Sequence, residues 1–266
     1  MKHPRYDHVK TVVNAGLPVL LLGESGSGKS TICSQLAEDL KLPFHAMSMT
    51  RQTSVNNIVG FKSVTGDYIS SSFRQAYEHG GLFLLDELDA GDANVLLTFN
   101  TIENGYMVFP DKIIHAHADF RLIATANPQE AHNIYTGRSK LDFSTLNRYY
   151  KVSLDRDPDL ERSLTSEETA TMANVIREFL ASNGSSIQMT MRDTIRLHKI
   201  KQLKLDANPE IEVVFQSDPS LGKLFLERLE TLKAEAARRQ AEAEEAKKTQ
   251  HETTTFDAFT SKILGD

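Results

Sequence analysis

Gly23-Glu24-Ser25-Gly26-Ser27-Gly28-Lys29-Ser30 sets two glycines, a lysine and a hydroxyl in the pattern G-x-x-x-x-G-K-[ST] and adds a third glycine at Gly26. Each residue type has a chemical reason to be there. Glycines let backbone N–H groups turn inward and crowd an anion with no side chain in the way. Lys29 can reach β- and γ-phosphates, and the Ser30 hydroxyl is the expected protein ligand of Mg²⁺, a cation that keeps most of its waters. With Thr31 and Asp86, these eight residues form the set expected to hold a nucleotide. The plain alternative is an ordinary Gly/Ser turn, and the flanks decide against it. Leu17 to Leu22 is an apolar run bounded by glycines, as a buried strand would be, and Lys29 to Leu40 repeats apolar residues at helical spacing through Ile32, Cys33, Leu36, Ala37 and Leu40. A phosphate held there would sit at a helix N-terminus.

Transfer of a phosphoryl group to water also needs a metal ligand, a group that orients or deprotonates the water, and positive charge for the transition state. Asp86 follows the apolar run Leu82 to Leu85 and is suited to hold Mg²⁺ through water. Glu87 beside it is the candidate to activate the attacking water. The pair also reads as two exposed carboxylates opening a helix. Asn127 follows the apolar run Phe120 to Ala124, where an amide can hydrogen-bond both the water and the γ-phosphate, or simply serve as a turn residue before Pro128. For the charge there are Arg138, Arg148 and Arg192, each of which taken singly also reads as a surface or ion-pair residue.

The elements that must position these groups alternate. Strands are expected at Leu17 to Leu22, Pro43 to Met49, Leu82 to Leu85, Phe120 to Ala124 and Tyr149 to Leu154, with helices at Ser71 to Glu78, Ala93 to Glu103 and Asp142 to Leu146. That alternation predicts a parallel sheet covered on both faces. Val55 to Ile69 and Glu103 to His117 read as hairpins because they contain Thr65-Gly66-Asp67, Asn104-Gly105 and Pro110-Asp111. After Asp157-Pro158-Asp159 the pattern turns helical, over Ser166 to Leu180 with a capping box from Thr165 and Glu168, and again from Met191 to Leu205. From Leu229 the chain is rich in Ala, Glu, Lys and Arg without sustained heptads, which predicts a charged, solvated helix.

Bulk properties narrow the partners. Of 266 residues, 40% are hydrophobic and 25% charged, an ordinary globular balance. No stretch approaches the roughly 18 apolar residues of a membrane span, and Met1 to Lys10 is polar, so neither a membrane nor a secretory leader is expected. One cysteine, Cys33, precludes an intramolecular disulfide and fits a cytoplasmic location, as a small packing residue on its helix. Net charge of -6 argues against a surface built to coat nucleic acid. His115-Ala116-His117 lies near Asp119, but no further ligand completes a tetrahedral metal site, so a solvated strand face is the better account.

Taken in order, Gly23 to Ser30, Leu82-Phe83-Leu84-Leu85-Asp86-Glu87, Ala124-Thr125-Ala126-Asn127-Pro128 and Leu141-Asp142-Phe143-Ser144-Thr145-Leu146-Asn147-Arg148-Tyr149 resemble AAA+ ATPases of the MoxR group, and also the CobS chelatase subunit and dynein-type modules. The resemblance spans about residues 5 to 205. It implies a P-loop AAA+ three-layer α/β sandwich with a parallel five-stranded sheet over residues 1–155, carrying hairpin insertions within helix 2 and before sensor 1. A small helical lid follows over 156–228 and a charged helical tail over 229–266. It further implies Asn127 as sensor 1, Arg148 as an arginine finger for a neighbour's nucleotide and Arg192 as sensor 2. ATP and Mg²⁺ are the implied cofactors, with a homo-oligomeric, hexameric ring that remodels a client or adaptor such as a von Willebrand A-type protein. Two departures stand out: Glu24-Ser25 replaces a frequent proline-containing pair, and Asn147-Arg148-Tyr149 stands where Asp-Arg-Phe is usual, which leaves Arg138 as an alternative or second finger. An ABC-type ATPase would need a Leu-Ser-Gly-Gly-Gln signature that the chain lacks, a small-molecule kinase would not need the Asn127 and Arg148 motifs, and a nucleic-acid motor is the remaining alternative.

Overall fold

In the computed structural model the described residues are 2–128, 141–203, 208, 210, 213–238 and 242. The chain begins with helix α1 (Tyr6–Asn14) and strand β1 (Val19–Leu22), then α2 (Lys29–Leu40) and β2 (Phe44–Ser48). A short helix α3 (Val55–Val59) leads into a two-stranded ribbon, β3 (Phe61–Lys62) and β4 (Tyr68–Ile69), followed by α4 (Ser72–His79) and β5 (Gly81–Asp86). Next come α5 (Ala93–Leu96), a second ribbon of β6 (Tyr106–Val108) and β7 (Ile113–His115), then β8 (Phe120–Ala126), α6 (Phe143–Asn147) and β9 (Tyr150–Ser153). Helices α7 (Pro158–Leu164), α8 (Glu167–Ser182) and α9 (Met191–Gln202) complete the named elements.

Five strands form one parallel sheet in the order β2-β5-β8-β1-β9. Strand alternation sorts the apolar side chains into two layers, since successive residues point to opposite faces. Val19 and Leu21 of β1, Leu82 and Leu84 of β5 and Ile123 of β8 join α1 and α2 in one buried cluster. Leu20, Phe83, Leu85, Leu122 and Ala124 face the other way, against Phe73 and Tyr77 of α4. Both faces are covered, as nearly unbroken apolar strands require, and the result is the α/β three-layer sandwich of an AAA+ core.

The chain divides into two compact units, Met1–Ala170 with Thr190–Ile195, and Thr171–Met189 with Arg196 onward. The second has its own core, in which Phe215 and Phe225 stack at 5.1 Å and Phe179 meets Phe225 edge-on. Residues 219–238 are helical.

Three local expectations need correction. Val55 to Ile69 is not one hairpin: the Ser54 N–H donates to Asn57 Oδ1 at 2.8 Å, closing a helix start that yields α3 before the ribbon. Ala93 to Glu103 begins as α5 but tightens into a 3₁₀ helix over Leu97–Asn104. The cap of α8 comes from Ser166, whose Oγ accepts the Thr169 N–H at 3.2 Å, because the Thr165 hydroxyl is spent on the Glu161 carbonyl at 2.7 Å. The opening polar stretch also conceals α1, whose Tyr6, Val9, Val12 and Val13 are buried at helical spacing.

Candidate functional site

β1 delivers the glycine loop and α2 receives it. Gly26 (φ +82°) and Gly28 (φ +90°) adopt the left-handed backbone that a side chain disfavours, and Gly28 caps α2. A Cβ on Gly23 would lie 2.5 Å from the Leu154 carbonyl oxygen, so the loop runs hard against the end of β9. Lys29 opens α2 and its Nζ donates to the carbonyls of Gly23 at 2.6 Å and Glu24 at 2.9 Å, with Asn127 Oδ1 at 3.4 Å. These contacts place the ammonium between the loop and the end of β8.

The carboxyl ends of neighbouring strands bring the acids in beside it. Ser30 Oγ donates to Asp86 Oδ2 at 3.4 Å. Thr125, fully buried on β8, donates its hydroxyl to Asp86 Oδ1 and accepts the Glu87 N–H at 3.0 Å. Glu87 itself sits at φ +58°, a left-handed conformation costly for a residue with a Cβ and characteristic of functional turns. The cleft holding these groups has a volume of about 420 Å³ and is lined by Lys29, Ser30, Thr31, Asp86, Glu87 and Asn127, with Ser25, Gly26 and Gly28 of the loop. Arg192, in the first turn of α9, joins them and reaches Ser25 Oγ at 3.5 Å.

Other predicted residues lie elsewhere. Gly23 and Glu24 line a neighbouring cavity of about 510 Å³ together with Leu154 and Arg156, and Ser27 is buried within the loop. Arg148 stands in a third cavity, of about 610 Å³, that shares no residue with the 420 Å³ cleft; its Nη1 donates to Ser144 O at 2.5 Å and its Nε lies 3.5 Å from a Glu103 carboxylate oxygen. Arg138 lies outside the described residues. Burial pushes the Cys33 thiol far up, with Asp86 adding to the effect, so Cys33 stays a thiol in the α2 core. Two polar cleft residues escaped the reading of the sequence. Thr125 is a lone hydroxyl in an apolar strand and Asp89 a buried acid three residues after Asp86, and both signals were legible in principle.

For a divalent cation the donors fit. Ser30 Oγ and Asp86 Oδ2 are hard oxygens side by side, and the other Asp86 oxygen is already engaged by Thr125. Among the described residues no cluster of three or more His, Cys, Asp or Glu could cage a metal alone. Such a pair suits an ion like Mg²⁺ that takes one or two protein oxygens beside waters and phosphates.

Residues 18–149 match the family model of the AAA domain, dynein-related subfamily. The chain carries a dynein-related AAA domain. The match places the domain over residues 18–149 in the AAA-type ATPase family. Over 242 residues the chain is 20% identical to an uncharacterised Staphylococcus epidermidis protein, covering 85% of the chain and 89% of the relative. Over 204 residues it is 26% identical to midasin of Giardia intestinalis, covering 68% of the chain but only 4% of midasin. NtrX from Brucella abortus superposes with a TM-score of 0.50 at 14% identity, over 76% of the chain and 49% of NtrX, and a second NtrX structure, in complex with ADP, does so with the same score. At that identity the likeness speaks for the fold. No helix among the described residues is long and apolar enough to cross a membrane.

Proposed function

We propose that this protein hydrolyses ATP as a MoxR-like AAA+ ring subunit, with each active site completed by a neighbouring copy, and that it uses the turnover to remodel a partner protein. One observation carries the reading. Lys29, Ser30, Asp86, Glu87, Asn127 and Arg192 line one cleft, while Arg148 lies in a separate cavity of the same chain. A cis site with a phosphate loop, acids and amide but with its candidate finger turned elsewhere is half of a shared site.

The roles follow from chemistry. The loop N–H groups and the Lys29 ammonium bind the phosphates, Lys29 exchanging its loop carbonyls for phosphate oxygens. Ser30 and, through water, Asp86 would hold Mg²⁺, whose charge would offset that of the β- and γ-phosphates. Glu87 takes a proton from the attacking water, and Asn127 orients that water against the γ-phosphate. Arg192 supplies positive charge from the cleft's own chain. Arg148 of one copy supplies it to the next, and the ring is expected to be hexameric. Client recognition falls to the exposed ribbons, and a von Willebrand A-type adaptor is the expected class of partner.

Mixing two inactive variants tests the shared site. Glu87→Gln lacks the base and Arg148→Ala lacks the finger, so each alone should turn over ATP at least ~100-fold more slowly than wild type. Mixed, they should regain part of the activity wherever an intact Glu87 meets a neighbour's Arg148. Full activity of Arg148→Ala by itself would sink the assignment and point to Arg138.

A further inference from the structure

Glu161, on α7, is 1% exposed, and a carboxylate so far from water must spend its oxygens on protein partners. It does so on both. The Thr194 hydroxyl, fully buried on α9, donates to Oε1 at 2.5 Å, and Arg156 Nη1 donates to Oε2 at 2.7 Å. These three residues belong to the same compact unit as the cleft.

Each end of this buried link leads to the phosphate loop. Arg156 follows Leu154, whose N–H donates to Leu22 O at 2.6 Å and whose carbonyl oxygen lies 2.5 Å from where a Gly23 Cβ would stand. Thr194 stands two residues after Arg192, whose backbone nitrogen lies 3.0 Å from where a Gly26 Cβ would stand and whose guanidinium reaches Ser25. Asp193 fastens the same turn, its Oδ2 accepting from the Thr190 N–H at 3.1 Å and from the Thr190 hydroxyl at 2.6 Å. The carboxylate thus joins the strand end that backs Gly23 to the helix turn that backs Gly26.

A leucine of similar volume at position 161 would fill the space without the desolvation cost of an ion, so what the ion adds is direction. A hydrogen bond from Thr194 fixes both the rotation and the height of the first turn of α9. Without it, the turn would keep its own bonds to Thr190 but lose this directional link to α7, and Arg192 would lose the placement that link gives. We propose that Glu161 and Thr194 are positioning residues for Arg192, setting the turn of α9 so that its guanidinium faces the nucleotide. The proposal rests on reading the 420 Å³ cleft as the ATP site.

The test is a double-mutant cycle on the full chain, reading kcat and KM for ATP. Thr194→Val keeps the shape and removes the hydroxyl; it should lower kcat/KM about tenfold, and Thr194→Ser should restore it to within about twofold. In an Arg192→Ala background, Thr194→Val should change kcat/KM by less than about twofold, because what it positions is already gone. Glu161→Leu should reproduce the Thr194→Val loss, and Glu161→Gln, which keeps an acceptor, should not; this pair decides the matter if Thr194→Val fails to fold. Equal losses in both Arg192 backgrounds, or an Arg192→Ala variant as active as wild type, would overturn the proposal. Lys29→Ala keeps the two readings apart. If it leaves affinity for a fluorescent ATP analogue unchanged, the cleft is not the ATP site, whatever Thr194 does.

Discussion

Thr125 shows how much one hydroxyl can organise. It donates to Asp86 and accepts from the Glu87 N–H, so one side chain orients the candidate metal ligand and braces the left-handed backbone of the candidate base. Replacing it with valine keeps the volume but takes a partner from a part-buried N–H and a part-buried carboxylate oxygen, together costing on the order of 1 to 3 kcal/mol. Thr125→Val should therefore lower stability by about 2 kcal/mol in a denaturant melt and slow ATP turnover at least ~10-fold while nucleotide affinity changes less. A variant with wild-type turnover would show that Asp86 and Glu87 do not depend on Thr125 for their placement. Thr125 was visible as a polar residue in an apolar run, yet nothing in the run says which strand lies beside it. Its partners come from β5, which pairs with β8 across some forty residues of chain.

Among elements, a polar assembly lies between the two ribbons. Arg74 of α4, buried to 3% exposure, places its guanidinium over the rings of Tyr68 at 4.7 Å and Phe109 at 4.6 Å. It binds Asp111 through Nη1 at 2.7 Å and Nη2 at 3.2 Å, and Glu78 through Nε at 2.6 Å, while Lys112 reaches Glu78 at 2.7 Å. Tyr68 belongs to the first ribbon, and Phe109, Asp111 and Lys112 to the turn of the second. One cation therefore clamps both ribbons to α4. Arg74→Met keeps much of the apolar stem but removes the fork, and should destabilise the protein by about 2 to 4 kcal/mol, read as a lowered midpoint in a denaturant melt with faster amide exchange in both ribbons. Protection lost in only one ribbon would show that they are held independently. Hydrogen bonds from Arg74 hold the Asp111 and Glu78 carboxyls below their ordinary range, Lys112 adding to the second. Their pKa values are lower folded than unfolded, so the clamp is at full strength at neutral pH and weakens as pH falls below about 4. The strands and the helix after the glycine loop were legible because each is dictated by its own apolar period. α3 was not, because a five-residue helix is decided by the local Ser54–Asn57 cap rather than by a pattern.

At the scale of the whole molecule, the separation of Arg148 from the cleft has a thermodynamic consequence for the proposed ring. If the finger acts only on a neighbour's nucleotide, activity per chain depends on assembly and hence on concentration. Specific ATPase activity should rise with protein concentration and level off as larger species appear in sedimentation; a monomer with full, concentration-independent turnover would sink the ring.

The sequence by itself determined the nucleotide chemistry and the alternating core, since a phosphate loop needs its glycines and lysine at fixed spacing along one stretch of chain and a buried strand writes its own apolar run. Which residues would meet across the cleft was decided only by the tertiary structure. Asp86, Thr125 and Asn127 are brought to Lys29 by the strand order β2-β5-β8-β1-β9, and Thr194 meets Glu161 where the first turn of α9 comes to α7. Those are contacts between residues tens of positions apart, and spacing along the chain carries no record of them. The contact of Arg148 with Ser144 is local, four residues back in the chain, but only tertiary packing decided that its Nε meets Glu103 and that it stands in the 610 Å³ cavity, built from segments spread between Gly16 and Tyr149, rather than in the cleft of its own chain.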